Sequence, residues 1–243
     1  MCFVNYDYHM STLYMVATPI GNLEDITMRA LNVLKSVDVI ACEDTRHTSL
    51  LLSRYDIKKR TIACHAHNEE ASSKGIIALL DQGQSVAYCS DAGTPGISDP
   101  GARLCENVRA AGHDIVPIPG ASAVITLLSA AGNVGKTFTF EGFLSPKKGR
   151  RTKRLSELIS RGETFVFYES PFRIVKTLKE IEELCPSARI SMGRELTKAF
   201  EEIKVDNISN IIKLLESRDS IKGEFAVAVT PQAVDEDDNT EED

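Results

Sequence analysis

The stretch best equipped to hold a ligand is Ser90-Asp91-Ala92-Gly93-Thr94-Pro95-Gly96-Ile97-Ser98-Asp99-Pro100-Gly101. Its glycines allow close backbone approach or positive φ, and its prolines stiffen it. Asp91 and Asp99 offer carboxylate acceptors to a polyhydroxyl compound or an ammonium group. A connection that only turned the chain would need about 2–6 residues and far less punctuation. A second stretch, Ser145 to Arg154, carries six positive charges and no negative one. Pro146 and Gly149 interrupt its start, so it reads as an irregular loop suited to phosphate, the bland alternative being a solvated surface loop. Cys64-His65-Ala66-His67 holds metal-ligand atoms, but zinc sites draw their ligands from separated pairs. No second pair is visible, and no metal is expected. Ala130 to Thr137 matches a permissive phosphate-loop pattern with alanine for the first glycine. That mechanism needs a strand before the loop and a helix after it; here an apolar helix precedes and a strand follows, which reads as an interdomain hinge. Neither G-x-G-x-x-G at the first strand–helix turn nor G-x-S-x-G occurs. Polar loops around a cleft suit a mid-sized polar cofactor better than covalent catalysis.

The elements that would position these loops follow from the apolar runs. Leu13 to Thr18, Asp38 to Cys42, Thr61 to Cys64, Val86 to Cys89 and Asp114 to Ile118 read as five strands. Helical stripes separate them, as at Ile26, Ala30, Leu34 and Val37. Alternation of this kind predicts a parallel sheet. The loops at 19–23, 43–47, 90–101 and 119–122 then converge on its carboxyl edge, where open α/β sheets bind ligands. After Gly132 the pattern changes. Strands are expected at 137–140, 164–168, 188–192, 202–205 and 224–229, with helices at about 154–161, 172–184 and 208–217, a mixed α/β layer rather than a repeat. The expected organisation is a flexible extension at 1–12, an N-terminal α/β domain at 13–134, a C-terminal α/β domain at 135–230 and a disordered acidic tail at 231–243. Met10 is a plausible alternative start of translation.

The net charge of −7 belongs to that tail: Asp235 to Asp243 hold seven of the 35 carboxylates and no base, and the other 28 balance 28 lysines and arginines. A neutral body with a dense acidic end leaves a nucleic-acid partner open. No apolar run reaches the ~20 residues of a membrane span, and the N-terminus lacks the regions of a signal peptide. Cys2, Cys42, Cys64, Cys89, Cys105 and Cys185 include no C-x-x-C pair and read as free thiols in a reducing compartment.

Six segments occur in matching order: Thr18-Pro19-Ile20-Gly21-Asn22-Leu23, Cys42-Glu43-Asp44-Thr45-Arg46, Ser90 to Gly101, Pro117-Ile118-Pro119-Gly120-Ala121-Ser122-Ala123, Phe167-Tyr168-Glu169-Ser170-Pro171-Phe172-Arg173 and Gly193-Arg194-Glu195-Leu196-Thr197-Lys198. On these, over about 12–229, the chain resembles the tetrapyrrole (corrin/porphyrin) methylase superfamily, in its ribosomal-RNA-methylating branch. Ser90-Asp91-Ala92 stands where tetrapyrrole-acting members commonly carry Gly-Asp-Pro, which favours the RNA branch. The resemblance implies a pair of α/β domains with S-adenosyl-L-methionine folded between them. It implies the ribose 2′-hydroxyl of a cytidine in 16S rRNA of the small ribosomal subunit as acceptor, and a cytoplasmic homodimer. Some members of that branch carry a further segment after the last strand, where this chain has only its acidic tail.

Carried over by residue, Pro19, Asp91, Thr94, Ser122, Ala123, Tyr168 and Leu196 would line the cofactor pocket. Tyr168 could equally be a core aromatic, and Leu196 a packing leucine. In an in-line displacement the ribose oxygen attacks the sulfonium methyl, and alignment supplies much of the rate. Glu43, Asp44, Glu169 and Glu195 are candidate proton acceptors; Arg46 and Arg194 are candidates to hold phosphate. Each could instead be an ion pair at a loop base. Lys147, Lys148, Arg150 and Arg151 are the candidate RNA contacts. A small-molecule methylase on the same fold and a cofactor-binding protein without turnover remain the alternatives.

Overall fold

Val39–Cys42 and Val86–Cys89 are buried at every position. A strand can do that only when both faces of its sheet are covered, as in a parallel sheet wrapped by crossover helices. The computed structural model, which describes residues 11–64, 69–98 and 101–231, shows that arrangement. Strands β1 (Thr12–Val16), β2 (Val39–Cys42), β3 (Arg60–Ala63), β4 (Val86–Cys89) and β5 (Asp114–Ile118) form one sheet in the order β3-β2-β4-β1-β5. Every pairing in it is parallel. Side chains alternate between faces. Tyr14, Val16, Ile40, Cys42, Ala87 and Cys89 pack with the apolar residues of α1 (Met28–Ser36) and α2 (Thr45–Arg54). Leu13, Met15, Val39, Ala41, Val86 and Tyr88 pack with those of α3 (Glu69–Asp81) and α4 (Ala102–Ala110). Thr27 starts α1 by accepting from the Ala30 amide at 3.1 Å, and Asp44 starts α2 through the Arg46 amide.

The second sheet is mixed, in the order β6-β7-β10-β8-β9. β6 (Phe138–Phe143) and β7 (Thr164–Glu169) run parallel, while β8 (Arg189–Arg194), β9 (Glu202–Asn207) and β10 (Phe225–Thr230) join by antiparallel pairing. Helices α6 (Lys148–Ser160), α7 (Ile174–Leu184) and α8 (Ile208–Glu216) cover the face that presents Phe165, Phe167, Ile190, Met192, Val227 and Val229. Helix α5 (Ala123–Ala130) packs on β8 and β10. There Gly193 leaves room: a Cβ at this position would stand 2.8 Å from Leu196 Cδ2 and 3.1 Å from Leu127 Cδ1.

Two expectations change. The chain divides into compact units at Ser122/Ala123, about ten residues before the expected hinge, because α5 packs on the second sheet. The basic stretch is not an irregular loop: α6 begins at Lys148, six residues earlier than expected, with Lys147 as its N-cap. Pro146 lies outside the helix, and Gly149 sits in its first turn, where the entropic cost of about 1 kcal/mol is outweighed by tertiary contacts. Residues 1–10 of the expected extension, His65, His67, Asp99, Pro100 and residues 232–243 of the tail lie outside the described residues, while Thr12, placed in the extension, is the buried first residue of β1.

Candidate functional site

The carboxyl edge of the first sheet is assembled by backbone. The chain leaving β1 meets the loop after β4 through reciprocal hydrogen bonds, Thr18 N to Gly93 O at 2.9 Å and Gly93 N to Thr18 O at 3.0 Å. Gly93 takes φ +81°, a conformation costly for any residue with a Cβ. Two hydroxyls lock the same corner: Thr18 Oγ1 donates to Ser90 O at 3.1 Å, and Ser90 Oγ to Gly93 O at 3.0 Å. Thr94 Oγ1 donates to Ala121 O at 3.2 Å, tying in the exit of β5. A Cβ on Gly120 would stand 2.9 Å from that of Ala17, so the exits of β5 and β1 touch. Pro19, Asp91, Thr94 and Ser122 therefore share one rim, with Pro19 buried and Asp91 exposed. Ala123 is the first residue of α5 and belongs to the second unit.

Asp91 Oδ1 accepts from the Asp44 amide at 3.0 Å, linking the exits of β4 and β2. Its Oδ2 lies 3.7 Å from His47 Nδ1, too long for a hydrogen bond. That oxygen suits a ligand hydroxyl or ammonium group. Asp44 is already committed. It accepts from the Arg46 amide at 2.8 Å and from Arg46 Nη2 at 2.7 Å. These bonds hold its carboxyl well below the usual range, which makes it a weak base. Arg46 is its partner and is otherwise exposed. Glu43, on the same loop, is half-buried.

At the second sheet, one end gathers the exits of β6, β7 and β8 and the entries of β9 and β10, as the registers Phe143↔Tyr168, Phe225↔Glu169, Phe225↔Arg194 and Arg194↔Glu202 require. Glu169 is buried there. Its Oε1 accepts from the Ser170 amide at 2.8 Å, and its Oε2 from Arg173 Nη2 at 2.8 Å and Thr177 Oγ1 at 2.9 Å. These bonds fasten the start of α7 to β7. Tyr168 sits edge-on to Phe140 and Phe143, with ring centroids 5.1 and 5.6 Å away.

Glu195 and Thr197 adopt positive φ, +52° and +65°, strain that neighbours must offset. The Glu195 amide donates to Glu224 O at 3.0 Å, and Glu195 Oε1 accepts from the Glu224 amide at 2.9 Å and from Lys198 Nζ at 3.0 Å. These contacts, the Glu224 amide foremost, lower the Glu195 carboxyl pKa. Gly223 makes the approach possible, since a Cβ there would lie 2.5 Å from Glu195 Cγ. Arg194 Nε donates to Glu202 Oε2 at 3.0 Å, and Arg218 bonds the other oxygen at 2.6 Å. Leu196 is buried against Gly193. Sequence reasoning missed Gly223, Glu224, Glu202 and Arg218; the one available signal was a glycine directly before the last strand.

The RNA candidates separate. Lys147, Lys148 and Arg150 are exposed. Arg151 is buried, with Nη2 2.6 Å and Nε 2.9 Å from the Glu180 carboxylate, and its Nη1 donates to the Ser145 and Pro146 carbonyls. It is a structural residue of α6, and its assignment as an RNA contact is corrected accordingly.

A doubly covered parallel sheet with a locked carboxyl rim, followed by a mixed sheet, defines a two-unit α/β methylase fold. The chain belongs to the tetrapyrrole (corrin/porphyrin) methylases, whose family model matches residues 12–212. Within that family it is similar to proteins named ribosomal RNA small subunit methyltransferase I. The one from Pasteurella multocida (strain Pm70) is 47% identical over 228 residues, 93% of this chain and 81% of the relative. The one from Bacillus subtilis (strain 168) is 44% identical over 233 residues, 96% and 80% of the two chains. Among solved structures, a cobalt precorrin-4 methyltransferase of cobalamin biosynthesis superposes with a TM-score of 0.69 at 16% identity, covering 90% of this chain and 94% of that one. A uroporphyrin-III C-methyltransferase from Thermus thermophilus gives 0.61 at 19%, with the same coverage. These two likenesses concern the fold. Among the described residues no helix is long and apolar enough to cross a membrane, and no group of side chains could hold a metal ion.

Proposed function

We propose that the chain transfers a methyl group from S-adenosyl-L-methionine to the ribose 2′-hydroxyl of a cytidine in 16S rRNA, acting on the small ribosomal subunit in the cytoplasm as a homodimer. The observation that carries this reading is the identity of 44–47% to proteins named as small-subunit rRNA methyltransferases, over nine tenths or more of the chain. The donor's sulfonium supplies an electrophilic methyl carbon. The first-sheet rim supports this reading: Asp91 Oδ2, 3.7 Å from His47 Nδ1, can accept from the donor's hydroxyl or ammonium groups. Pro19, Thr94 and Ser122 shape the same rim.

Asp44, Glu169 and Glu195 have their carboxylates committed to protein donors, so their roles are positional. Asp44 sets Asp91 through its amide, Glu169 seats α7, and Glu195 holds the strained loop after β8. Rate then comes chiefly from alignment of the ribose oxygen with the methyl carbon. Lys147, Lys148 and Arg150 supply phosphate contacts. The test is incubation with isotopically labelled donor and small subunits from cells lacking the enzyme. Label in 16S rRNA supports the reading, and label confined to small molecules overturns it.

A further inference from the structure

Three large aromatics stand in solvent at one end of the second sheet. Phe143, at the exit of β6, is 66% exposed; Phe172, after β7, is 94% exposed; Phe200, between β8 and β9, is 76% exposed. Scattered single hydrophobics need no explanation, but apolar groups gathered at one end of one sheet mark an interaction surface. The sheet order β6-β7-β10-β8 sets the exits of β6 and β8 three strand spacings apart, about 14 Å. Phe143 is held by its edge contact with Tyr168. Arg173 Nη2 bonds both Leu144 O and Glu169, so the segment after Phe143 and the turn carrying Phe172 are fastened together.

The charge around these rings is positive. Among the carboxylates at this end, Glu141 pairs with Arg154 and Glu202 with Arg194 and Arg218, Glu195 and Glu224 share Lys198, and exposed Glu201 accepts from the Thr197 amide. Lys147, Lys148 and Arg150, which follow Phe143 in the chain, and Lys222, which precedes β10 at the same end of the sheet, remain exposed. Aromatic rings interleaved with cations suit a strand of nucleic acid whose bases are unpaired, because rings stack on base faces while lysines and arginines follow the phosphates. A fully paired helix hides those faces.

We propose that Phe143, Phe172 and Phe200 form a stacking platform for unpaired bases of the RNA substrate, with Lys147, Lys148 and Arg150 tracking its backbone. This deepens the RNA reading above and rests on it. The platform recognises single-stranded RNA near the modified nucleotide.

The chain contains no tryptophan, so Phe172→Trp introduces a sole indole reporter at the most exposed ring. Its emission is titrated with a short oligocytidine, with the same strand in a duplex, and with inorganic polyphosphate. Quenching by the single strand alone is expected. Phe143→Ala, Phe172→Ala and Phe200→Ala should each weaken oligocytidine binding about 5- to 150-fold, the range for losing one base–aromatic stack. Their salt slopes should match the parent's, since no phosphate contact is removed. Equal quenching by duplex or polyphosphate would overturn the platform, as would unchanged affinity in all three alanine variants. If those variants dissociate a dimer in sedimentation and bind RNA as the parent does, the face belongs to a second copy and the proposal falls. Methyl transfer to 16S rRNA by the parent, run in parallel, separates the two claims. Transfer with unaffected alanine variants removes only the platform, whereas selective quenching without transfer removes only the methylation reading.

Discussion

Arg151→Ala separates the structural role of this residue from the RNA role its neighbours suit. The guanidinium and the Glu180 carboxylate have side chains only 3% and 7% exposed, and they share two hydrogen bonds. The variant leaves a buried carboxylate without its partner and removes the donor to the Ser145 and Pro146 carbonyls. Breaking a buried pair from one side costs about 3–5 kcal/mol. Arg150→Ala, one residue away and exposed, should change stability by no more than about 0.5 kcal/mol. Replacing both partners, Arg151→Met with Glu180→Leu, should restore most of the loss, since an apolar pair carries no unpaired charge. The pH dependence has a definite sign. Arg151 holds the Glu180 carboxyl below its ordinary 4.5. A carboxylate depressed in the folded state contributes stability above its unfolded pKa and loses it as pH falls through the lowered folded value. The difference between parent and Arg151→Ala should therefore be full above about pH 5 and shrink as acid protonates Glu180. Hydrogen exchange over α6 and α7 in urea, read by mass spectrometry, follows this unit separately from the first. A loss below about 1 kcal/mol, or one equal to that of Arg150→Ala, would refute the assignment.

The triple variant Lys147→Ala, Lys148→Ala, Arg150→Ala should flatten the log–log salt dependence of RNA binding by about 2, at ~0.7 per phosphate contact on a single strand, in filter binding at several salt concentrations. Asp91→Ala should weaken S-adenosylmethionine binding about 10- to 150-fold in calorimetry, the worth of a hydrogen bond to a charged group, with the fold retained on circular dichroism. Glu169→Gln should retain methyl transfer per folded molecule while lowering stability by about 1–3 kcal/mol, because its hydrogen bonds seat α7 rather than move a proton. An activity loss without a stability loss would contradict that role.

The first sheet was legible because buried parallel strands are short continuous apolar runs, and glycine, proline and acidic residues mark the loops between them. All five of its strands lie within a residue or two of their expected places. The α/β character of the second half and its break from the pattern of the first were also legible, but not the strand directions of its sheet, which depend on pairings between strands far apart in the chain. The start of α6 was hidden. Its basic composition and Gly149 argue locally against a helix, and the Arg151–Glu180 pair that anchors it joins residues 29 apart in the chain. The exits of the first sheet could be named as binding loops, but not the bond from the Asp44 amide to Asp91, which depends on β2 and β4 being neighbours. Residue type marks Glu169 and Glu195 as carboxylates but does not show their partners, the Arg173, Thr177 and Lys198 side chains. The positive φ of Glu195 becomes intelligible only with Gly223 opposite it.

The most direct test of the central claim is to map the methyl group. Small subunits from cells lacking this protein are incubated with it and with labelled S-adenosylmethionine, and the 16S rRNA is hydrolysed in alkali. A ribose methyl blocks cleavage at its own linkage, so the label should emerge in one alkali-resistant dinucleotide carrying 2′-O-methylcytidine. Label released in a mononucleotide as a base methyl, or recovered in a tetrapyrrole with the rRNA unlabelled, would contradict it.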